Sequence, residues 1–266
     1  MCGICGIVSI GGDGPIDRDA LQRMTDAMSH RGPDGQGIWV SENGRAGFRH
    51  RRLAIVDLSP LGAQPMTNED SSIWITYNGE VYNFQTLRSE LEKRGHQFRS
   101  NTDTEALVHL YEEMGEAMVD RLDGDFAFAI WDDNEQTLFL ARDPVGVKPL
   151  YYAVVGGYFI FASELKAILE YPGIRRQIDK EALYNYLTYL DVPAPFSLVQ
   201  NDKKVMAGQF LCVQPGGTVR KTQYWEPLPN LHTYDQNSYD EHLALLFQQS
   251  VEKRLMSDVT LGVLFS

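Results

Sequence analysis

The spacing of apolar and polar residues predicts strands and helices in turn along the first part of the chain. The residues through Ile10 form a continuous apolar stretch, which indicates a short buried strand. A helix is expected next, because Asp17 can cap its N-terminus and apolar residues then recur at helical spacing, at Leu21, Met24 and Met28. Strand-like stretches follow at residues 37–40, 53–56 and 73–77.

The middle of the chain returns to a helical period and then to strands. From Phe84 to Leu91 the apolar residues share one helix face, and Gly95 is a suitable C-terminal stop. Thr102 and Glu105 have the spacing of a capping box, which opens a third helix. The later pattern predicts strands at residues 126–131, 138–141 and 210–213, a hairpin within 151–162, and helices at 164–169 and 180–190.

The last part of the chain has a different pattern. Residues 226–237 show little periodicity and predict a linker, after which an amphipathic helix is expected from about Tyr239 to Leu255. The chain then closes on an apolar strand, residues 261–266, with no further segment to cover it. We therefore predict one domain over residues 1–225 and the truncated start of a second domain over residues 238–266.

The composition is that of an ordinary globular protein, and it narrows the classes of partner. Of the 266 residues 43% are hydrophobic and 23% are charged, and the formal net charge is −12. This charge disfavours nucleic acid and anionic membranes as partners. The N-terminus does not resemble a signal peptide, and no apolar run has the length of a membrane span. With three scattered cysteines, a reducing, cytoplasmic location is expected.

Cys2 is a candidate nucleophile because of its position. A cysteine is small enough for a preceding initiator methionine to be removed, which would leave the thiol beside its own α-amine. That amine has an ordinary pKa of about 7.7–8.0, so it can take up and return a proton near neutral pH. The alternative is that Cys2 is a small buried residue at the start of a strand.

Cys2 and Cys5 also form a Cys-x-x-Cys spacing, which is typical of redox or metal chemistry. In a strand their Cα atoms would lie about 10 Å apart, beyond the reach of a disulfide. No histidine cluster in the sequence completes a zinc site, so no metal is predicted. Cys5 is therefore expected in the core.

Three further positions each have two interpretations. Asn78-Gly79 is either a hairpin turn or an oxyanion hole made by the Asn78 amide and the Gly79 N–H. Arg52 is either a solvated surface residue or a clamp for a substrate carboxylate. Asp103 either stabilises the start of its helix or holds a substrate ammonium group. The local sequence leaves each pair open.

Over nearly its whole length the chain resembles the class II glutamine amidotransferase domain of the asparagine synthetases. The segments that carry the resemblance are residues 1–4, 30–34, 52–57, 77–83, 102–105, 122–128, 142–151 and 162–167. It implies an α+β fold, a four-layer αββα N-terminal-nucleophile sandwich of two antiparallel sheets. It also implies roles: a Cys2 nucleophile, an oxyanion hole of Asn78 and Gly79, and a glutamine-binding set of Arg52, Leu53, Ile55, Glu80 and Asp103.

The resemblance further implies a reaction and its partners. Glutamine would be hydrolysed to glutamate and ammonia through a thioester on Cys2, with no cofactor in this domain. In family members the ammonia passes to a second domain that uses ATP and Mg²⁺ to convert aspartate to asparagine. Residues 257–266 match the start of that domain and end before its phosphate-binding glycines, so this chain is expected to hydrolyse glutamine without making asparagine.

Alternatives to this function remain open at the level of sequence. The full-length protein could act on another carboxylate acceptor, or the chain could be a noncatalytic domain of the same fold. Class II amidotransferases of sugar phosphate or purine synthesis are disfavoured, because they attach acceptor domains that differ from residues 257–266. A homodimer is left open as an assembly.

Overall fold

Strands and helices follow each other largely in the order that the periodicity predicts. The computed structural model describes residues 1–11, 14–228 and 236–262. The strands are β1 (Gly3–Ser9), β2 (Gly35–Val40), β3 (Ala46–Arg52), β4 (Met66–Thr67), β5 (Ile73–Val81), β6 (Gly124–Asp132), β7 (Thr137–Arg142), β8 (Tyr151–Val155), β9 (Tyr158–Ala162), β10 (Asp202–Lys204), β11 (Gln209–Val213) and β12 (Val219–Gln223). The helices are α1 (Arg18–Asp26), α2 (Phe84–Arg94), α3 (Asp103–Met114), α4 (Leu165–Ile168), α5 (Lys180–Tyr189) and α6 (Gln236–Lys253).

The strands form two antiparallel sheets that pack face to face. The first has the order β10-β8-β9-β1-β3-β2 and the second the order β12-β11-β7-β6-β5-β4. Apolar side chains from both sheets fill the space between them, among them Phe48, Phe161 and Trp131. Helices α1 and α4 pack against the first sheet, and α2 and α3 pack against the second. The predicted four-layer αββα sandwich is confirmed.

The surroundings of strand β1 explain why nearly all of its residues are apolar. Ile4 and Val8 face the second sheet, whereas Cys5 and Ile7 face α1 and α4, so both faces of the strand are covered. Cys5 is fully buried, and its Sγ lies 3.5 Å from the hydroxyl oxygen of Thr25. Its prediction as a core residue is confirmed.

The helices of the second sheet begin and end close to the predicted positions. Helix α2 ends at Gly95, which has the left-handed φ of 108° typical of a helix C-cap. At the start of α3 the Thr102 hydroxyl accepts the Glu105 N–H at 3.3 Å. The Glu105 carboxylate, however, accepts from the N–H groups of Arg99 and Ser100, both at 2.7 Å, so the capping box is only half formed. Both interactions hold the first turn of α3 in place.

The predicted strand at residues 53–56 is wrong. The strand in this region is β3, which ends at Arg52, and the chain then leaves the sheet. Its backbone groups find partners outside a β-ladder: the Ala54 N–H donates to Asp34 Oδ2 at 2.9 Å, and the Ile55 carbonyl accepts from the Asp258 N–H at 2.9 Å. The polar composition of β3 hid this strand from the hydrophobic pattern.

The C-terminal helix is present and starts inside the predicted linker. Helix α6 exposes Leu243, Leu246, Phe247 and Val251. Residues 229–235 of the linker and residues 263–266 of the predicted last strand lie outside the described residues, and residues 261–262 are not in a strand. The end of α6 lies against the sandwich, where Lys253 Nζ is 2.6 Å from Asp123 Oδ2.

We find that none of the helices within the described ranges combines the length and apolar character needed to cross a membrane.

Candidate functional site

One cavity brings together all the site residues that the sequence predicts. It encloses about 580 Å³ of space, including its opening to solvent. Its wall includes the residues ahead of β1, the end of β3 with the loop that follows, strand β5 and the first turn of α3. The predicted residues on this wall are Cys2, Arg52, Leu53, Ile55, Asn78, Gly79, Glu80 and Asp103. The structure tests their proximity, whereas their roles stay predictions.

Cys2 lies directly ahead of β1, with its thiol against the backbone of Leu53. The Leu53 N–H donates to the Cys2 Sγ at 3.3 Å, and the Leu53 carbonyl oxygen lies 3.6 Å from the same sulfur. Burial raises the pKa of the Cys2 thiol, and the Leu53 N–H only partly opposes this. At neutral pH the thiol is therefore protonated, and it would need a base in order to act as a nucleophile.

The main chain of Cys2 is held as firmly as its thiol. The Arg31 Nε donates to the Cys2 carbonyl at 2.8 Å, and Arg31 Nη1 in turn forms an ion pair with Glu164 Oε1 at 2.9 Å. The side chain of Met1 is exposed at the cavity, and burial lowers the pKa of its α-amine. Cys2 is thus held through its carbonyl by Arg31 and through its sulfur by the Leu53 backbone.

Asn78 and Gly79 lie inside β5, so the hairpin-turn interpretation is wrong. Asn78 pairs with Ala127 of β6 and is only 2% exposed. Its Nδ2 is buried and has no hydrogen-bond partner among the described residues, although a buried amide group normally has one. A Cβ at Gly79 would lie 2.5 Å from the Asp125 carbonyl oxygen, so no other residue fits there. Asn78, which carries this unpaired donor, and Gly79, which has no side chain, therefore lie side by side in the cavity wall.

Arg52 is anchored by the loop that follows it. Its Nη1 donates to the Ser59 carbonyl at 2.9 Å and its Nη2 donates to the Asp57 carbonyl. A side chain at Gly62 would overlap this guanidinium, because an added Cβ would meet Nη2. These contacts use two of the five N–H donors of the guanidinium and fix its plane at the cavity wall.

Asp57 connects the Arg52 loop to two other segments. Its Oδ2 accepts the Asn101 N–H at 2.8 Å, and its own N–H donates to Asp258 Oδ2 at 2.7 Å. Although burial opposes it, the hydrogen bonds from Asn101 and Ser59 hold the pKa of Asp57 below its usual value. Hydrogen bonds therefore connect the loop after β3 to the approach to α3 and to the segment after α6.

Two carboxylates face the same cavity. Asp103 is buried, and its Oδ2 accepts from the Tyr77 hydroxyl at 2.6 Å and from the Val81 N–H at 3.0 Å. Burial raises the pKa of Asp103, and these hydrogen bonds oppose it. Burial likewise raises the pKa of Glu80, with Lys148 acting against it. A cationic group bound beside these two side chains would relieve their desolvation.

The cavity does not offer a histidine as a base. None of the sixteen described residues that line it is a histidine. His50 lies nearby in β3, with its Nε2 3.1 Å from the Tyr77 carbonyl oxygen, but burial lowers its pKa to about 3. A histidine with such a pKa is a weak base at neutral pH.

The sequence patterns indicate no site role for several residues that line the cavity. Gln64 accepts the Tyr77 N–H at 2.7 Å and donates to the Thr104 hydroxyl at 3.1 Å, and no local pattern marks it. Tyr77 looked like an ordinary strand residue. Lys148 stands in the segment 142–151, which carries the family resemblance but suggested no role for it.

The architecture and the position of Cys2 define a class of protein. Two stacked antiparallel sheets between helical layers, with a cysteine at the head of a central strand, form the sandwich of the N-terminal-nucleophile enzymes. The glutamine amidotransferase domain family matches residues 1–225. The chain belongs to this family.

Similar proteins extend well beyond the length of this chain. Asparagine synthetase 3 (glutamine-hydrolysing) of Bacillus subtilis strain 168 is 39% identical over 97% of this chain and 42% of its own length. Asparagine synthetase 1 (glutamine-hydrolysing) of the same organism is 36% identical over 99% of this chain and 42% of its own length. The chain thus spans about two fifths of these relatives.

A solved structure shares the fold at low sequence identity. It is the glutamine phosphoribosylpyrophosphate amidotransferase from B. subtilis, complexed with ADP and GMP, with a TM-score of 0.62 and 20% identity. The match covers 85% of this chain and 50% of that one. It supports the architecture alone.

Proposed function

We propose that this domain hydrolyses glutamine to glutamate and ammonia, with Cys2 as the nucleophile after removal of Met1. The observation that carries the proposal is that the Cys2 thiol and the unpaired amide of Asn78 line the same cavity. A nucleophile and a free hydrogen-bond donor in one pocket are the two groups that acyl transfer requires.

The reaction begins with proton transfer from the thiol to the α-amine of Cys2. The thiolate attacks the side-chain carbonyl carbon of glutamine and forms a C–S bond. The ammonium group of Cys2 then protonates the departing nitrogen, the C–N bond breaks, and ammonia leaves. Water hydrolyses the glutamyl thioester, which yields glutamate and restores the thiol. The raised pKa of the Cys2 thiol and the lack of a cavity histidine support the amine as the base.

The remaining cavity residues suit the three polar ends of glutamine. Asn78 Nδ2 and the Gly79 N–H would stabilise the oxyanion that forms on the side-chain carbonyl. Arg52 would bind the α-carboxylate, and Asp103 with Glu80 would bind the α-ammonium group, whose charge offsets theirs. Backbone groups of Leu53 and Ile55 complete the binding site.

Asn78→Ala tests the oxyanion role. We expect kcat to fall about 10²- to 10³-fold, because a single oxyanion-hole donor contributes that much, with KM nearly unchanged. Steady-state glutamate release measures both constants. Stability should not fall, since no described partner loses a bond to Asn78 Nδ2. Asn43→Ala, at a surface asparagine bonded to Gln136, is the matched control, and an Asn78 variant as active as that control would exclude this role.

Arg52→Ala tests the carboxylate clamp. A charge-assisted hydrogen bond contributes about 1.5–3 kcal/mol, so KM for glutamine should rise about 10- to 150-fold. The neighbouring Arg51 bonds Asp26 at 2.7 Å and does not line the cavity, so Arg51→Ala should keep the original KM. Equal glutamine affinity in the two variants would remove Arg52 from the binding site.

We further propose that the ammonia serves ATP-dependent amidation of aspartate to asparagine in a longer protein. The names of the two B. subtilis relatives support this, and so does the match of residues 257–262 to the start of a synthetase domain. In this proposal the domain boundaries are 1–225, 226–237 and 238–266, and ATP with Mg²⁺ belongs to the second domain alone. The contact of Asp258 with Asp57 gives that domain a physical connection to the Arg52 loop.

A further inference from the structure

Four potential metal ligands converge on the outer side of the second sheet. Glu69 lies between β4 and β5, His96 follows α2, and His109 and Glu112 belong to α3. Each offers one ligand atom, and the four atoms lie within 4.8 Å of one another. None of the four residues lines the Cys2 cavity, so the cluster is separate from the proposed site of hydrolysis.

Backbone structure places the two histidines next to each other. Gly95 turns the chain at the end of α2, and the His96 N–H then donates to the Leu91 carbonyl at 3.2 Å. The rings of His96 and His109 lie 4.7 Å apart, between centroids. His96 Nδ1 and His109 Nδ1 both approach Glu112 Oε2, at 3.7 and 2.7 Å. His109 is almost completely buried.

Surrounding polar groups orient the cluster in the way that groups around a metal site do. The Nε2 of His96 lies 3.0 Å from Glu113 Oε1, and a carboxylate only accepts, so a neutral ring carries its proton on Nε2 and keeps a lone pair on Nδ1. Metal-binding histidines usually have such a carboxylate on their other nitrogen. Asn68 Nδ2 donates to Glu112 Oε1 at 2.8 Å, which leaves Oε2 toward the histidines.

The ligand set favours a zinc-class ion over calcium or magnesium. Two imidazole nitrogens and two carboxylate oxygens suit Zn²⁺, whereas Ca²⁺ and Mg²⁺ take oxygen ligands. Tetrahedral coordination at about 2.0–2.1 Å needs ligand atoms about 3.3 Å apart. The side chains of Glu69 and Glu112 are 38% and 23% exposed, so they have room to close that distance.

We propose that Glu69, His96, His109 and Glu112 form a binding site for Zn²⁺ or a similar divalent transition metal. The ion takes the place of the proton between His109 Nδ1 and Glu112 Oε2, and that proton moves to Nε2 of the same ring, which has no hydrogen-bond partner among the described residues. The charge of the ion offsets the two carboxylates. Because the ligands come from three segments, the ion ties the β4–β5 turn and the end of α2 to α3. No Cys or His spacing announces such a site in the sequence.

The test uses the chain with Cys2→Ala, so that the thiol in the cavity cannot bind metal. After treatment with a chelator and its removal, ZnCl₂ is added while heat of binding and the unfolding midpoint are followed. We expect one saturable site and a rise of several degrees in the midpoint. Co²⁺ in place of Zn²⁺ should give the visible absorption of a tetrahedral complex.

Variants distinguish specific Zn²⁺ binding at these four residues from nonspecific binding at the surface. His96→Ala and Glu69→Gln change partly exposed ligands, and each should weaken Zn²⁺ binding at least tenfold while the unfolding midpoint without metal stays near that of the parent. His30→Ala is the matched control, because His30 also pairs with a glutamate, Glu164, but lies outside the cluster. No saturable binding, or equal affinity in parent and cluster variants, would overturn the proposal.

Discussion

Cys2→Ala will reduce glutamate release on the order of 10⁶-fold, the loss that follows removal of a hydrolase nucleophile. The reason is chemical, since alanine cannot form the thioester, while the proposed binding groups Arg52, Asp103 and Glu80 remain. Glutamine should therefore still bind, with an affinity close to that of the parent. The measurements are an endpoint assay of glutamate and a calorimetric titration with glutamine.

Cys5→Ala is the control for this variant. Cys5 lies three residues further on, is fully buried and faces α1 and α4, away from the cavity. Its replacement leaves a small void and costs some stability, but the rate of hydrolysis should remain. Glutamate production by the Cys2 variant at a rate near that of the Cys5 variant would exclude Cys2 as the nucleophile.

A residue retained ahead of Cys2 will lower kcat about 10²- to 10⁴-fold, the usual contribution of general acid–base catalysis. An amide nitrogen cannot accept the thiol proton or protonate the leaving ammonia. A short N-terminal extension with a protease site directly before Cys2 makes the comparison within one preparation. Activity should appear on cleavage, and mass spectrometry reports the N-terminus.

Low activity before cleavage could have two causes: loss of the free amine as a base, or obstruction of the cavity by the extension. The pH dependence of the cleaved enzyme distinguishes them. A base acts in its neutral form, so kcat/KM of the cleaved enzyme should fall as the pH drops below about 7.7–8.0, the ordinary pKa range of an α-amine. Full activity before cleavage, or a flat profile through this range after it, would contradict the role of the amine.

Local patterns predicted those elements in which the spacing of the apolar residues indicates which positions are buried. The apolar stretches of β6 and β7 and the helix of Phe84, Leu87 and Leu91 are where the spacing placed them, because both depend on neighbours along the chain. The prediction failed at β3, whose charged residues hide a paired strand. The sequence 53–56 is apolar, yet it follows the cavity wall, where its backbone bonds to side chains.

The set of candidate site residues came from the order of motifs and not from any single position. Cys2 and the dipeptide Asn78-Gly79 each had a plain structural alternative, and the hairpin alternative was excluded only when both residues were found within β5. Gln64 and Asp57 had no local signal at all. Their importance lies in bonds to Tyr77, Asn101 and Asp258, which are far apart in sequence.

By itself the sequence determined the family, most of the elements and a candidate nucleophile, Cys2, that would carry its own base. The tertiary structure alone decided what surrounds that nucleophile: the Leu53 backbone, 51 residues away, against its sulfur, an asparagine amide without a partner, and a separate cluster of two histidines and two glutamates. The physical reason is the separation along the chain between the residues that interact. Periodicity and caps act over a few residues, whereas a site is made where distant segments meet.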